Sequence, residues 1–217
     1  MKRIIISLSV LGVVLVAAGC NTTESSRNLA DPMVPGKVLA QQVCSNCHGI
    51  DGNSINPTFP KLAGQQAEYI VSELKEFKSH DRSDPAGYQY MWGISRSLTD
   101  KQITELAEYF SSQKNRPDKS DNAKLLAEGE DIFKHGIPGG QTPACATCHG
   151  KDGAGGGNGV FPRIAGQHAD YIAKQLWVFK NTNQRPDGTL MKVITNGIPK
   201  SITPEQIKAV SLYLSTI

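Results

Sequence analysis

No apolar run in this chain is long enough to cross a membrane comfortably. The run that stands out, Ile4 to Ala18, falls short of the roughly 20 residues a spanning helix needs. It follows Lys2 and Arg3, so its length and flanks read as an export signal over residues 1–19. Charge of either sign is not in surplus: 23 Lys and Arg face 20 Asp and Glu. A net +3 without a basic patch excludes a nucleic-acid footprint. Sulfur is also scarce. With five cysteines and four methionines in 217 residues, the position of each one carries information.

Four of the cysteines form two runs of the same design, Cys44-Ser45-Asn46-Cys47-His48 and Cys145-Ala146-Thr147-Cys148-His149. Cys-x-x-Cys-His is the attachment signature of a c-type haem: two thiols for the vinyl groups and an adjacent imidazole for the iron. A single Cys-x-x-Cys could also be a thioredoxin-like redox pair or half a zinc site. Two copies, both followed by His-Gly, favour two haem c groups.

The fifth cysteine, Cys20, ends Ala17-Ala18-Gly19-Cys20, which resembles the lipobox of bacterial lipoproteins. In that reading Cys20 is acylated, and several acyl chains anchor the protein stably to a membrane. Asn21 favours the outer one. Ordinary cleavage near Ala18 is the alternative. Either way the chain is exported to the periplasm, the side on which haem is attached covalently. Residues 20–35 lack periodicity and contain Pro32 and Pro35, as a flexible tether would.

Beyond the tether the chain repeats itself, the second motif lying 101 residues after the first. Phe59-Pro60-Lys61-Leu62-Ala63-Gly64-Gln65 returns at an offset of 102 as Phe161-Pro162-Arg163-Ile164-Ala165-Gly166-Gln167. Tyr69, Leu74, Phe77 and Lys78 match Tyr171, Leu176, Phe179 and Lys180. After each Gly-Gln pair an amphipathic helix is expected, with Ala67, Ile70, Leu74 and Phe77 against Ala169, Ile172, Leu176 and Phe179 as buried faces. A short helix over Lys37 to Val43 would deliver Cys44. The last helix of each half opens on a capping box, Thr99 with Gln102 and Thr203 with Gln206. These features divide the mature chain into two all-α domains, residues 36–112 and 123–217, joined by an exposed linker over 113–122. At 77 and 95 residues, each is small enough for a buried porphyrin to supply much of its core.

A haem with histidine on one face takes methionine, histidine or nothing on the other. Apart from Met1 and Met33, the methionines are Met91 and Met191, one per repeat, 43 and 42 residues after the motif histidines. Thioether ligation at both irons is the expectation, with gap-filling core methionines as the plainer alternative. His80, His135 and His168 have no histidine counterparts and default to exposed positions, although His80 keeps bis-histidine ligation open at the first haem. The carbonyls of Pro60 and Pro162 are candidates to fix the imidazole tautomers. Arg82 and Arg185 are candidates to pair with propionates. Trp92 and Trp177 read as packing residues.

The paired motifs, the Phe-Pro-x-Leu/Ile-Ala-Gly-Gln phrases, the Tyr-x-x-x-x-Leu-x-x-Phe helices and the two methionines resemble the dihaem cytochrome c4 family over residues 36–217. The resemblance implies two tandem class I cytochrome c domains. In these Cys44, Cys47, Cys145 and Cys148 hold the haems, His48 and His149 are proximal ligands, and Met91 and Met191 are distal ligands. It also implies that Pro60 and Pro162 accept hydrogen bonds from the ligand imidazoles. Irons capped on both faces leave no seat for a small-molecule substrate, so a one-electron carrier is expected rather than an enzyme. Its partners would be redox proteins of a respiratory chain: a quinol-oxidising donor, and a terminal oxidase or reductase as acceptor. The rival readings are a haem subunit of a dehydrogenase or oxidase complex, and a dihaem enzyme acting on peroxide or sulfur compounds at an open iron.

Overall fold

The computed structural model describes residues 26–85, 87–137, 142–185 and 202–217. The export segment, Cys20 and Met191 lie outside them. Among the described residues there are helices and two isolated β-bridges but no strand, and no helix is long and apolar enough to cross a membrane.

In the first repeat, α1 (Gly36–Leu39) runs into a π-helical turn (Ala40–Cys44) and then into α2 (Ser45–His48). The helix expected up to Val43 therefore continues through the motif, widened by a π turn of the kind often found at functional sites. The repeat continues with α3 (Ala67–Ser79), a second π turn (Gly87–Met91), α4 (Trp92–Ser95) and α5 (Asp100–Ser111). The second repeat has α6 (Ala123–His135), α7 (Ala146–His149), α8 (Ala169–Asn181) and α9 (Pro204–Thr216).

Each repeat buries its own apolar cluster. Leu39, Ile70, Leu74, Leu98, Ile103, Leu106 and Phe110 form the first, and Ile132, Phe133, Ile172, Ile202, Ile207, Val210 and Leu214 the second. Both capping boxes are present, at Thr99 with Gln102 and at Thr203 with Gln206. Leu98 and Ile103, and likewise Ile202 and Ile207, occupy the positions of a hydrophobic staple around these caps. The matched lysines complete the design: Lys78 Nζ donates to the Leu98 carbonyl and Lys180 Nζ to the Ile202 carbonyl, at 2.5 and 2.6 Å. The caps and lysines thus fix the entries into α5 and α9.

The first and last helices of each repeat cross closely at a glycine. A Cβ on Gly36 would lie 2.8 Å from the Gln102 carbonyl oxygen, and one on Gly129 only 2.2 Å from that of Ala209. Gly129→Ala would gain about 1 kcal/mol of helix propensity. Overpacking against a backbone atom that cannot rotate away costs about 1–3 kcal/mol or more. A net loss of about 2 kcal/mol is expected in urea unfolding of the mature protein. An unchanged or higher stability would contradict the close crossing of α6 on α9.

Candidate functional site

The two motifs open on one continuous cavity. Cys44, Cys47 and His48 line it in the first repeat with Phe59, Met91 and Ile94, and Cys145, Cys148 and His149 line it in the second with Ile164, Leu176 and Phe179. The four cysteines form no disulfide. Burial pushes the Cys44 thiol up to about 12 and the Cys145 thiol up to about 11. A redox-active Cys-x-x-Cys depends on a lowered thiol, so these are not poised as attacking thiolates. Nor do three or more His, Cys, Asp or Glu side chains gather as a bare-ion site among the described residues.

His48 Nδ1 lies 2.9 Å from the Pro60 carbonyl oxygen, and His149 Nδ1 lies 2.8 Å from that of Pro162. A carbonyl only accepts, so each ring donates from Nδ1 and keeps the lone pair on Nε2. Burial pushes both imidazoles below their usual pKa, outweighing the opposing effect of the proline carbonyls. A neutral imidazole with a bare Nε2 is the form that binds iron. Phe59 and Phe161, each next to one of these prolines, set their edges against the histidine rings at 6.2 and 6.3 Å between centroids.

Met91 ends the second π turn, half-buried against the first core. Ser95 Oγ donates to its carbonyl at 2.7 Å. The other histidines are engaged away from the cavity. His80, in a left-handed conformation at the end of α3, packs on Trp92 with centroids 4.5 Å apart. His135 pairs with Asp131 on the surface. His168 corrects the expectation of an exposed position: it is buried, with Nε2 facing the Ser54 carbonyl at 2.8 Å and Nδ1 facing Asp118 at 3.3 Å. Trp177 corrects another, being 56% exposed rather than packed, because position 177 falls on the outer side of α8.

Between the two motifs the repeats dock through buried polar side chains. Gln65 Nε2 donates to the Arg163 carbonyl, and Gln65 Oε1 accepts from the Arg163 N–H, both at 2.8 Å. Gln167 forms the mirror pair with Lys61, at 2.9 and 2.8 Å. Arg82 donates to Glu73, to Asp84 at 2.7 Å and to the Tyr171 hydroxyl at 3.3 Å. Arg185 donates to Glu73 as well, to Gln175 Oε1 at 2.8 Å and to the Tyr69 hydroxyl at 3.0 Å. The residues between α5 and α6 join this contact: Asn115 Nδ2 donates to the Ala63 carbonyl at 3.3 Å.

Both arginines, expected near propionates, thus line the cavity inside an interface cluster. Glu73 carries no signal in the sequence, because an apolar periodicity does not mark the polar residue that is buried beside Leu74 on α3. Gln175 Nε2 is buried without a partner among the described residues and lines the same cavity. An orphan donor beside arginines suits a carboxylate, and a haem brings two. With the thiols, the bare imidazole nitrogens and the apolar walls, the donor set fits two haems.

The cytochrome c family model matches residues 33–114 and 126–217. Cytochrome c-552 of Acidithiobacillus ferridurans is 40% identical, over 94% of this chain and 84% of its own. Cytochrome c4 of Stutzerimonas stutzeri is 36% identical, over 99% and 98%. A thiosulfate dehydrogenase electron acceptor of Thiomonas intermedia is 31% identical, over 79% and 77%. The crystal structure of reduced cytochrome c4 from Pseudomonas stutzeri superposes with a TM-score of 0.75 at 36% identity, covering 87% of this chain and 99% of that one.

The interface cluster makes a prediction of its own. Burial favours the protonated form of Glu73, but Arg185 and Arg82 hold its carboxyl below the usual range. Because the folded-state value is depressed, its contribution is full above the unfolded value of about 4.3. That contribution is lost as the pH falls through the folded value. Thermal melts should show Glu73→Gln about 3–5 kcal/mol less stable at neutral pH, since it leaves buried guanidinium charge uncompensated. Below about pH 4 the parent should lose stability more steeply than the variant. Parallel pH curves would contradict the assignment.

Proposed function

The chain belongs to the cytochrome c family and, within it, to the dihaem cytochrome c4 group, and from that premise we propose that it is a periplasmic electron carrier of a respiratory chain, tethered to the outer membrane through acylated Cys20. It carries two haem c groups and moves electrons. What supports the reading most is the pair of buried, neutral imidazoles, each held by a proline carbonyl beside its Cys-x-x-Cys.

Cys44 and Cys47, and Cys145 and Cys148, would hold the haems as thioethers. His48 and His149 would bind the irons through nitrogen, and Met91 and Met191 through sulfur. A haem c held in this way supplies reversible one-electron exchange between ferric and ferrous iron. The residues do the rest. His48 with Met91, and His149 with Met191, would hold the two irons between them and so leave no place for a substrate. The apolar walls from Ile70, Leu74 and Phe77, and from Ile172, Leu176 and Phe179, keep water away. That burial and the soft thioether both favour the ferrous state over the more highly charged ferric one.

Partners would meet the chain transiently, through interfaces at the small end of the usual range. We place a quinol-oxidising complex as donor and a terminal oxidase or reductase as acceptor. The likeness to a thiosulfate dehydrogenase electron acceptor favours a second reading, in which the donor is a dehydrogenase of a sulfur compound. Both readings make this chain a carrier and differ only in the donor.

An optical redox titration of the mature protein tests the shared claim. Two low-spin, one-electron components are expected, with the weak far-red band of iron–methionine ligation and no carbon monoxide binding after reduction. Met91→Ala should let one haem of the two bind carbon monoxide. Binding to the parent protein, or a Met91→Ala variant that still refuses it, would overturn the ligand assignment.

A further inference from the structure

The two glutamines that close the repeated Phe-Pro phrases are bonded crosswise. Gln167 of the second repeat pairs with the backbone of Lys61 in the first, through an Nε2 donor at 2.9 Å and an Oε1 acceptor at 2.8 Å. Lys61 follows Pro60, whose carbonyl accepts from His48 Nδ1. Gln65 of the first repeat pairs with Arg163 of the second, which follows Pro162 and so reaches His149. Both glutamines are at least nine-tenths buried. Each carbonyl that orients a motif histidine therefore shares its peptide group with the N–H of a residue clamped at both its N–H and its carbonyl by the other repeat.

Pro60 has a fixed φ and no N–H, so the direction of its carbonyl depends on the peptide that follows. That peptide ends at the Lys61 N–H, which is held by Gln167. Within the first repeat the same segment is tied less directly, through the Leu62 and Ala63 N–H groups to the Gly52 carbonyl at 2.7 and 3.1 Å. The geometry at Arg163 is the same, with Ile164 and Ala165 bonded to Gly153.

We propose that Gln167 is a positioning residue for His48, and Gln65 for His149, so that each repeat sets the strength of the histidine–carbonyl bond at the opposite haem. Domain docking and axial ligation are then coupled in a crossed pattern. A stronger bond at Nδ1 makes the imidazole a better donor to the iron and favours the ferric state. Releasing the clamp weakens that bond and favours the ferrous state at the far haem. The inference rests on His48 and His149 as the proximal ligands, and deepens the carrier reading by giving the interface a part in tuning each site.

The experiment is a redox titration of the mature holoprotein with Gln167→Ala and Gln65→Ala, followed by the hyperfine-shifted haem methyl signals in proton NMR. Each haem is assigned by contacts with residues of its own repeat. Gln167→Ala should shift the redox equilibrium of the first haem toward the ferrous form by about threefold or more, roughly 28 mV at 59 mV per tenfold, and move the second haem less. Gln65→Ala should do the reverse. Gln167→Asn and Gln65→Asn, which stay neutral and keep the amide but shorten its reach, guard against variants that fail to fold. They should show the same crossed pattern with smaller shifts. Shifts below threefold in both alanine variants, equal shifts at both haems, or larger shifts at the haem of the mutated repeat would each overturn the proposal. A parent protein without haem signals would instead defeat the carrier reading on which it rests.

Discussion

The rest of the site depends on a hydrogen bond between an imidazole and a proline carbonyl, made once in each repeat. Histidine beside a Cys-x-x-Cys has two ring nitrogens, and only the carbonyl decides which of them keeps its lone pair. Burial keeps the ring neutral, and the phenylalanine before each proline holds the ring from the side. A few residues of loop thus convert a generic side chain into a directed ligand, and the surrounding helices hold that loop still.

Those helices do so by two different means. Inside each repeat the closure is apolar and tight, with a glycine at the crossing of first and last helices and a capped, stapled entry into the last one. Between repeats it is polar and buried: paired glutamine–backbone contacts and a glutamate shared by two arginines. Buried charge of this kind contributes little net stability but penalises misaligned docking heavily. The arrangement suits a protein that must keep two redox sites at a fixed separation.

Much of this was legible in the sequence because the chain is written twice. The haem motifs, the capping boxes and the matched lysines recur in the same order at offsets of 101, 104 and 102 residues, and such matched spacing is hard to explain except by a shared structural duty. The glutamines stand out in the repeated phrase, yet their partners lie about a hundred residues away in the other repeat, and no local pattern shows which backbone a side chain will reach. Glu73 and His168 were missed for a related reason. Periodicity marks a buried face but presumes that what is buried is apolar, and these two are buried because the opposite repeat supplies their partners. The π turn over Ala40–Cys44 has no propensity signal in the sequence.

The central claim is that each repeat binds one haem covalently through its two cysteines. Intact mass spectrometry of the mature protein under denaturing conditions tests it most directly. The expected mass is that of the acylated polypeptide plus two haems, falling to one haem when Cys145 and Cys148 are both replaced by alanine. A parent protein with the mass of the bare chain, or with haem lost on denaturation, would contradict it.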